Sequence, residues 1–322
     1  MKYEFYSMST GGIANRLKTM VSLMRLAEKT ESRFSFYWPK NKLCNINFCE
    51  LFESPNKEIS FEEAKNILRS KNKKYYLDGL NLFDFPGKKK VIFAGWRFII
   101  GKNEKISLSK DMFFRNEKSL DYKFWKVPLK IRKEIQEGLK SFKPINPLKS
   151  KINFFEKKYT LHERVGIHMR RGDFKEAQEI SPDDKFIIKI KQILKTNPKT
   201  KFFLCTDDKN SEKLLKKNFG NKIISYPKKN FDRLDEKFIQ QGLIDLFLLS
   251  KTKEILGTYL SSFTELAWWI GGCKAKINII MDEEAKKNMI KKRRKKKIIP
   301  FLKRKVYNLI TPLYKRVLFS NT

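Results

Sequence analysis

The amino-acid sequence predicts an α/β protein built on parallel, doubly wound sheet, and three observations predict it. A chain of 322 residues, 41% hydrophobic and 13% aromatic, can bury one large core or two ordinary ones without disulfide or metal staples. From about Arg164 to Met281 short apolar strands alternate with amphipathic helices, the pattern of crossover connections between parallel strands. The first 40 residues open on the same unit of strand, glycine loop, helix and strand.

Taken in order, Lys2 to Met8 alternate as a strand, and STGGIANR turns into a helix with Leu17, Val21, Met24 and Ala27 on one face. RFSFYW is the next strand. Between about Glu53 and Pro128, helical stretches such as FEEAKNILRS mix with a strand-like KVIFAGW, and periodicity sets no order for them. A helix carrying Ile131, Ile135, Leu139 and Phe142 closes this region. KPINPLKS, with Pro144 and Pro147, reads as a linker, dividing an N-terminal domain, 1–150, from a C-terminal one, 151–284. In the latter the strands RVGIHM, KFFLCT, NKIIS, KEILG and KINIIM are separated by the helices DDKFIIKIKQILK, SEKLLKKNF, LDEKFIQQGLIDLFLLS and SFTELAWWIGG.

The charge balance is the unusual quantity. With 71 Lys and Arg against 35 Asp and Glu, the net charge is +36, which points to an anionic partner. Residues 285–322 supply 14 basic residues and no acid, leaving +22 for the preceding 284 residues, an ordinary lysine-rich surface. This tail joins KKRRKKK to a segment in which Phe301, Leu302, Val306, Leu309 and Ile310 alternate with Lys303, Arg304 and Lys305. A polybasic, amphipathic segment of this kind suits an anionic membrane surface. A solvated tail and a nonspecific nucleic-acid arm are its alternatives. Four cysteines without a C-x-x-C pair and only two histidines, His162 and His168, argue against a zinc site, and no metal is expected. No apolar run reaches signal-peptide or membrane-spanning length, so the expected place is the cytoplasm, peripheral on the membrane.

In doubly wound sheets the ligand sits at the carboxyl ends of the strands. Those positions here read HMRRGD, TDD and TYLSS. Arg170 and Arg171 offer guanidinium forks suited to a diphosphate, and Asp207, Asp208 and Asp245 offer acceptors for a base edge or sugar hydroxyls. Ser261 and Ser262 open a helix whose amides and dipole favour phosphate. Each also has a plainer reading. Ser262 and Glu265 fit a capping box, Asp207 or Asp208 could cap the next helix, the arginines and Asp173 could form a surface ion pair, and Asp245 could be an exposed helix charge.

These residues carry a resemblance. VGIHMRRGDF resembles the H-x-R-R-G-D motif of the α-1,2/α-1,6 fucosyltransferase superfamily, and LCTDDKNSEKL, LIDLFLLSKTKEILGTYLSSFTELAWWIGG and GGIANRLKTMVSLMRLAEKT are similar to its other blocks, in the same order. The resemblance implies a GT-B fold of two Rossmann-like halves facing a cleft, an acceptor-side N-terminal domain, and GDP-fucose as donor substrate without a further cofactor. It implies that Arg170 binds the phosphate, with Arg171 and Asp173 ordering the loop. His168 and Asp245 would lie by the guanosine, Asp207 and Asp208 near the nucleotide, and Ser261 and Ser262 at the diphosphate. Gly11, Gly12, Asn15 and Arg16 would close over the donor. Relatives carry a Glu proposed as base just after the motif, a neighbourhood that Glu176 and Glu179 share here. The expected activity is an inverting transfer of fucose to a hydroxyl of an acceptor glycan, α-1,2 in linkage. The competing readings are a glycosyltransferase with another nucleotide sugar and a basic nucleic-acid-binding protein. Against the last, the basic run lacks interleaved aromatics and the strand-end acids would repel a phosphate backbone.

Overall fold

The computed structural model describes residues 4–53, 56–69, 129–172 and 175–296, with isolated strand segments between 74 and 126. The described residues fall into two compact units, one ending at Ile145 and the other running from Asn146 to Lys296.

The first unit opens with β1 (Glu4–Ser7), α1 (Ile13–Lys29) and β2 (Arg33–Phe36), followed by β3 (Lys57–Glu58), α2 (Phe61–Arg69), β4 (Lys74–Leu77), β5 (Val91–Ala94) and α3 (Leu129–Lys140). Its sheet runs β3-β2-β1-β5-β4, and every pairing is parallel. The strand-like segment of the unordered middle thus becomes β5 and lies directly beside β1. α1 is buried on almost every side, against β1 and α3, which is why it carries Ala, Leu, Met and Val at more positions than one stripe needs. Arg25 and Lys29 anchor it to Glu134 of α3 at 3.2 and 3.0 Å.

The expected linker holds the boundary between the two units, Ile145/Asn146, but it is a structured one. Lys143–Pro144 pairs antiparallel with Phe52–Glu53, and Pro147 stands in the first turn of α4 (Asn146–Tyr159), whose Leu148, Ile152 and Phe155 are buried. A proline there loses no hydrogen bond, because the first amides of a helix have no partner within it.

The second unit continues with β6 (Val165–Met169), α5 (Lys175–Ile180), α6 (Asp183–Thr196), β7 (Phe202–Thr206), α7 (Lys209–Phe219), β8 (Ile223–Ser225), α8 (Glu236–Leu249), β9 (Glu254–Thr258), α9 (Ser262–Ile270), β10 (Lys276–Ile280) and α10 (Glu283–Lys296). The sheet order is β8-β7-β6-β9-β10, again all parallel, and it reverses direction between β6 and β9. β6 and β7 are buried at every position, which explains their uninterrupted apolar runs. The start assigned to the polybasic tail, Ala285, lies inside α10. Met289 of that helix packs with Ile180, Tyr259 and Leu260, so the first turns of the supposed tail belong to the unit's core. Residues 297–322, with the amphipathic pattern read there, lie outside the described residues. Among those described, no helix is long and apolar enough to cross a membrane.

Candidate functional site

The reversal of strand order parts the loops that leave β6 and β9 and opens a crevice at the carboxyl edge of the sheet. One side chain ties the two strand ends together: the Thr258 hydroxyl donates to the His168 carbonyl at 2.8 Å and accepts from the Arg170 amide at 2.9 Å. Leu260 then takes a left-handed conformation, φ 61°, turning the chain sharply toward α9. This conformation costs a Leu about 1–2 kcal/mol, and it is held by burial of Leu260 in the Met289 cluster and by the bond from the Tyr259 amide to Ser181 Oγ, 2.8 Å.

Asp207, at the end of β7, organises the charges. Its Oδ2 takes Arg170 Nη1 at 2.5 Å and also pairs with Arg233, and its Oδ1 accepts the amides of Arg171 at 2.7 Å and Gly172 at 3.3 Å. Burial works against this carboxylate, but Arg170, the Arg171 amide and Arg233 outweigh it and hold the carboxyl below its ordinary range. Two cations therefore share this anion. A Cβ at Gly172 would meet the Arg233 guanidinium and an Asp207 carboxylate oxygen, so a larger residue there would displace these side chains. Arg171 turns inward instead: its Nε donates to Asp183 Oδ1 at 2.6 Å and its guanidinium lies over the Phe186 ring, 5.5 Å away. Asp183 is its partner among the described residues; Asp173 lies outside them.

Two acids expected to face a ligand are otherwise engaged. Asp208 caps α7, accepting the Ser211 amide at 2.7 Å, as its plainer reading held. Asp245 is neither exposed nor open: it is 3% exposed and pairs at 2.6 Å with Lys228, which is itself buried. Burial pushes the Asp245 carboxyl up to about 6. Burial also works against the Lys228 ammonium, but Asp245 outweighs it and holds that group above its ordinary range, so the pair is charged at neutral pH.

His168 is buried within the last turn of β6. Its ring stacks on Phe263 at 4.6 Å and 19°, and Nδ1 meets Thr264 Oγ1 at 2.8 Å and Ser261 Oγ at 3.4 Å. Burial pushes its pKa down to about 3, so the imidazole is neutral and acts as the seat of α9 rather than as an open ligand for a base. The Ser262 and Glu265 capping box does not form. Ser261 is the N-cap, Ser262 is the first helical residue, and the Ser261 side chain closes none of the first amides of this nine-residue helix.

In the first unit, Gly12 is the N-cap of α1 and also lacks a side-chain cap. Gly11 sits so close to Asn15 that a Cβ would be 3.0 Å from the Asn15 Cβ. Arg16 does not reach outward: it is 1% exposed, its Nε donates to the Gly11 carbonyl at 2.6 Å and its guanidinium lies 4.6 Å from the Trp38 ring. It pins the glycine loop from beneath. Glu176 is half-buried in the first turn of α5, and Glu179, one turn on, is exposed.

Arg233 and Lys228 complete the cluster, and both lie in the loop after β8. That loop is also a carboxyl-end loop, so the strand-end rule that selected the others points to it as well. Thr258 opens the TYLSS block, but its role as a tie, like the role of Asp183, depends on which elements lie side by side and shows no signal of its own in the sequence.

No protein-family model and no curated protein matches the chain. Solved structures share its architecture. A NodZ α-1,6-fucosyltransferase soaked with GDP-fucose is similar with a TM-score of 0.52 at 14% identity, over 84% of this chain and 93% of its own. NodZ from Bradyrhizobium gives 0.51 at 14%, over 83% and 92%. A mutant Arabidopsis thaliana FUT1 in complex with GDP gives 0.53 at 15%, over 86% and 70%. These likenesses show the fold: α/β with parallel sheets, of the GT-B type.

Proposed function

We propose that the chain is an inverting glycosyltransferase that moves fucose from GDP-fucose to a hydroxyl of an acceptor glycan. The observation that carries this reading is the pair of arginines, Arg170 and Arg233, held by one buried Asp207 at the sheet edge where strand order reverses. The uncapped N-terminus of α9 follows the other strand of that reversal. Both features attract a diphosphate. The structures that share the fold include fucosyltransferases described with GDP and with GDP-fucose, which supports this donor.

In the reaction the acceptor oxygen attacks the anomeric carbon on the face opposite the departing GDP, through an oxocarbenium-like transition state. The C–O bond to the β-phosphate breaks as the new glycosidic bond forms, and the acceptor proton leaves to a base. Negative charge then grows on the β-phosphate, where preorganised donors contribute most. We assign that role to Arg170, with Arg233 as second cation. Asp207, Arg171 and Gly172 shape the loop, and His168 holds α9 in place. Acceptor activation is assigned to Glu176, which stands at the end of the loop that Arg170 opens. The linkage is taken as α-1,2, after the look of the HMRRGD block, and the tail beyond α10 is assigned to an anionic membrane surface.

Thermal-shift measurements with GDP, GDP-fucose, UDP and UDP-sugars test the donor, since a ligand stabilises the native state according to its concentration over Kd. A selective shift with GDP and GDP-fucose is expected. No shift with either would overturn the reading, and NMR of the glycosidic product decides the linkage.

A further inference from the structure

The amino-terminal edge of the second unit's sheet carries a cavity of about 1030 Å³, at the top of the ~300–1,000 Å³ range of small-molecule pockets. It is lined by six basic side chains, Lys158, Arg164, Lys199, Lys201, Lys222 and Lys253, against a single acid, Glu163. Topology gathers them. Arg164, Lys201, Lys222 and Lys253 each stand just before a strand, at the entrances of β6, β7, β8 and β9, while Lys158 ends α4 and Lys199 follows α6.

Part of this charge has local partners. Arg164 Nε donates to the Tyr159 carbonyl at 2.6 Å, and Lys222 Nζ to the Pro198 carbonyl at 2.6 Å. The rest does not. Arg164 is 8% exposed, yet its Nη1 has no hydrogen-bond partner among the described residues. Lys199, Lys201 and Lys253 make no ion pair among those residues. Gathering six cations around one cavity costs repulsion, and a buried guanidinium nitrogen without an acceptor costs desolvation, unless an anion supplies what both lack. Guanidinium and ammonium donors converging on one space suit tetrahedral oxyanions.

We propose that this cavity is a second anion site of the protein, taking a ligand with two or more phosphoryl groups. It lies at the edge of the sheet opposite to Arg170 and does not depend on the donor assignment. A soluble phosphate ester and a phosphorylated lipid headgroup present the same chemistry, and the test separates these sources.

Binding of tripolyphosphate to the full chain is measured by titration calorimetry in the presence of saturating GDP. The charge-reversed variant Lys201→Glu/Lys253→Glu is compared with Lys213→Glu/Lys217→Glu, which changes net charge equally on the exposed face of α7. The first variant is expected to weaken binding by about tenfold or more, the second by less than about twofold. Co-sedimentation with phosphatidylcholine vesicles containing phosphatidylinositol bisphosphate, read as the excess over vesicles in which phosphatidylserine supplies the same charge to the tail, is the second arm. A loss in both arms for the cavity variant assigns the site to the lipid headgroup, and a loss with tripolyphosphate alone assigns it to a soluble ester. Equal effects of the two variants, or no saturable binding, would overturn the proposal. GDP shifts unchanged in both variants keep this outcome separate from that of the donor site.

Discussion

Arg170 and Asp207 make opposite electrostatic demands on a diphosphate, and that contrast is testable. Arg170→Ala should lower turnover with GDP-fucose by about two orders of magnitude or more, the usual cost of losing a preorganised donor; near-normal turnover would remove Arg170 from its role. Asp207→Asn deletes a negative charge beside the phosphates, so Coulomb attraction alone would tighten GDP binding. If Asp207 instead aims Arg170 and Arg233, GDP binding should weaken by about tenfold, the worth of one charge-assisted hydrogen bond. Calorimetry gives the sign directly. His168 supplies a pH signature. Its folded pKa of about 3 lies below the ~6.5 of an unfolded histidine, so the unfolded chain binds the extra proton between these values. The stability that neutral His168 permits is therefore complete above about pH 6.5 and lost as pH falls toward 3, by up to about 1.4 kcal/mol per unit. Asp245, pushed up to about 6, opposes this below that pH. The informative quantity is thus the stability difference between wild type and His168→Gln, which should shrink on acidification from pH 7 to 5; a constant difference would show that His168 does not titrate this way.

At the scale of elements, the seating of α9 on β9 is tight. A Cβ at Gly257 would collide with the Thr264 side chain, the group that meets His168 Nδ1. Gly257→Ala should therefore cost about 1–3 kcal/mol of overpacking and also reduce the GDP shift, because α9 must move; urea unfolding and thermal shift on one sample check both. The five strands of the second unit and four of its helices, α6 to α9, were readable from apolar runs and helical spacing, since parallel strands buried on both faces leave no other pattern. α4 was hidden by Pro144 and Pro147, which mark a break in most contexts and here mark a strand pair and a first helical turn. α5 has six residues, too few for a period to show. In the site, Arg170 and Asp207 were readable from their place after strands. Arg171, Asp245 and Arg16 were recognisable as charges, but whether a charge faces a crevice or a buried partner depends on Asp183, Lys228 and Trp38, which lie far from them in sequence.

For the molecule as a whole, the +36 is unevenly spread, with 14 basic residues and no acid in 285–322. Removal of residues 297–322 should abolish binding to phosphatidylserine vesicles and leave the GDP shift within error, since the shared-carboxylate cluster and α9 lie outside the deleted segment; binding to these vesicles that survives the truncation would assign the membrane contact elsewhere. The place where this truncation cuts also matters mechanically. The basic run begins on α10, and the same helix wedges Met289 against Tyr259 and Leu260, the two residues that lead into Ser261. Met289 therefore couples the heading of α10 to the turn that presents Ser261, and a change that loosens this helix is felt first at the entry to α9.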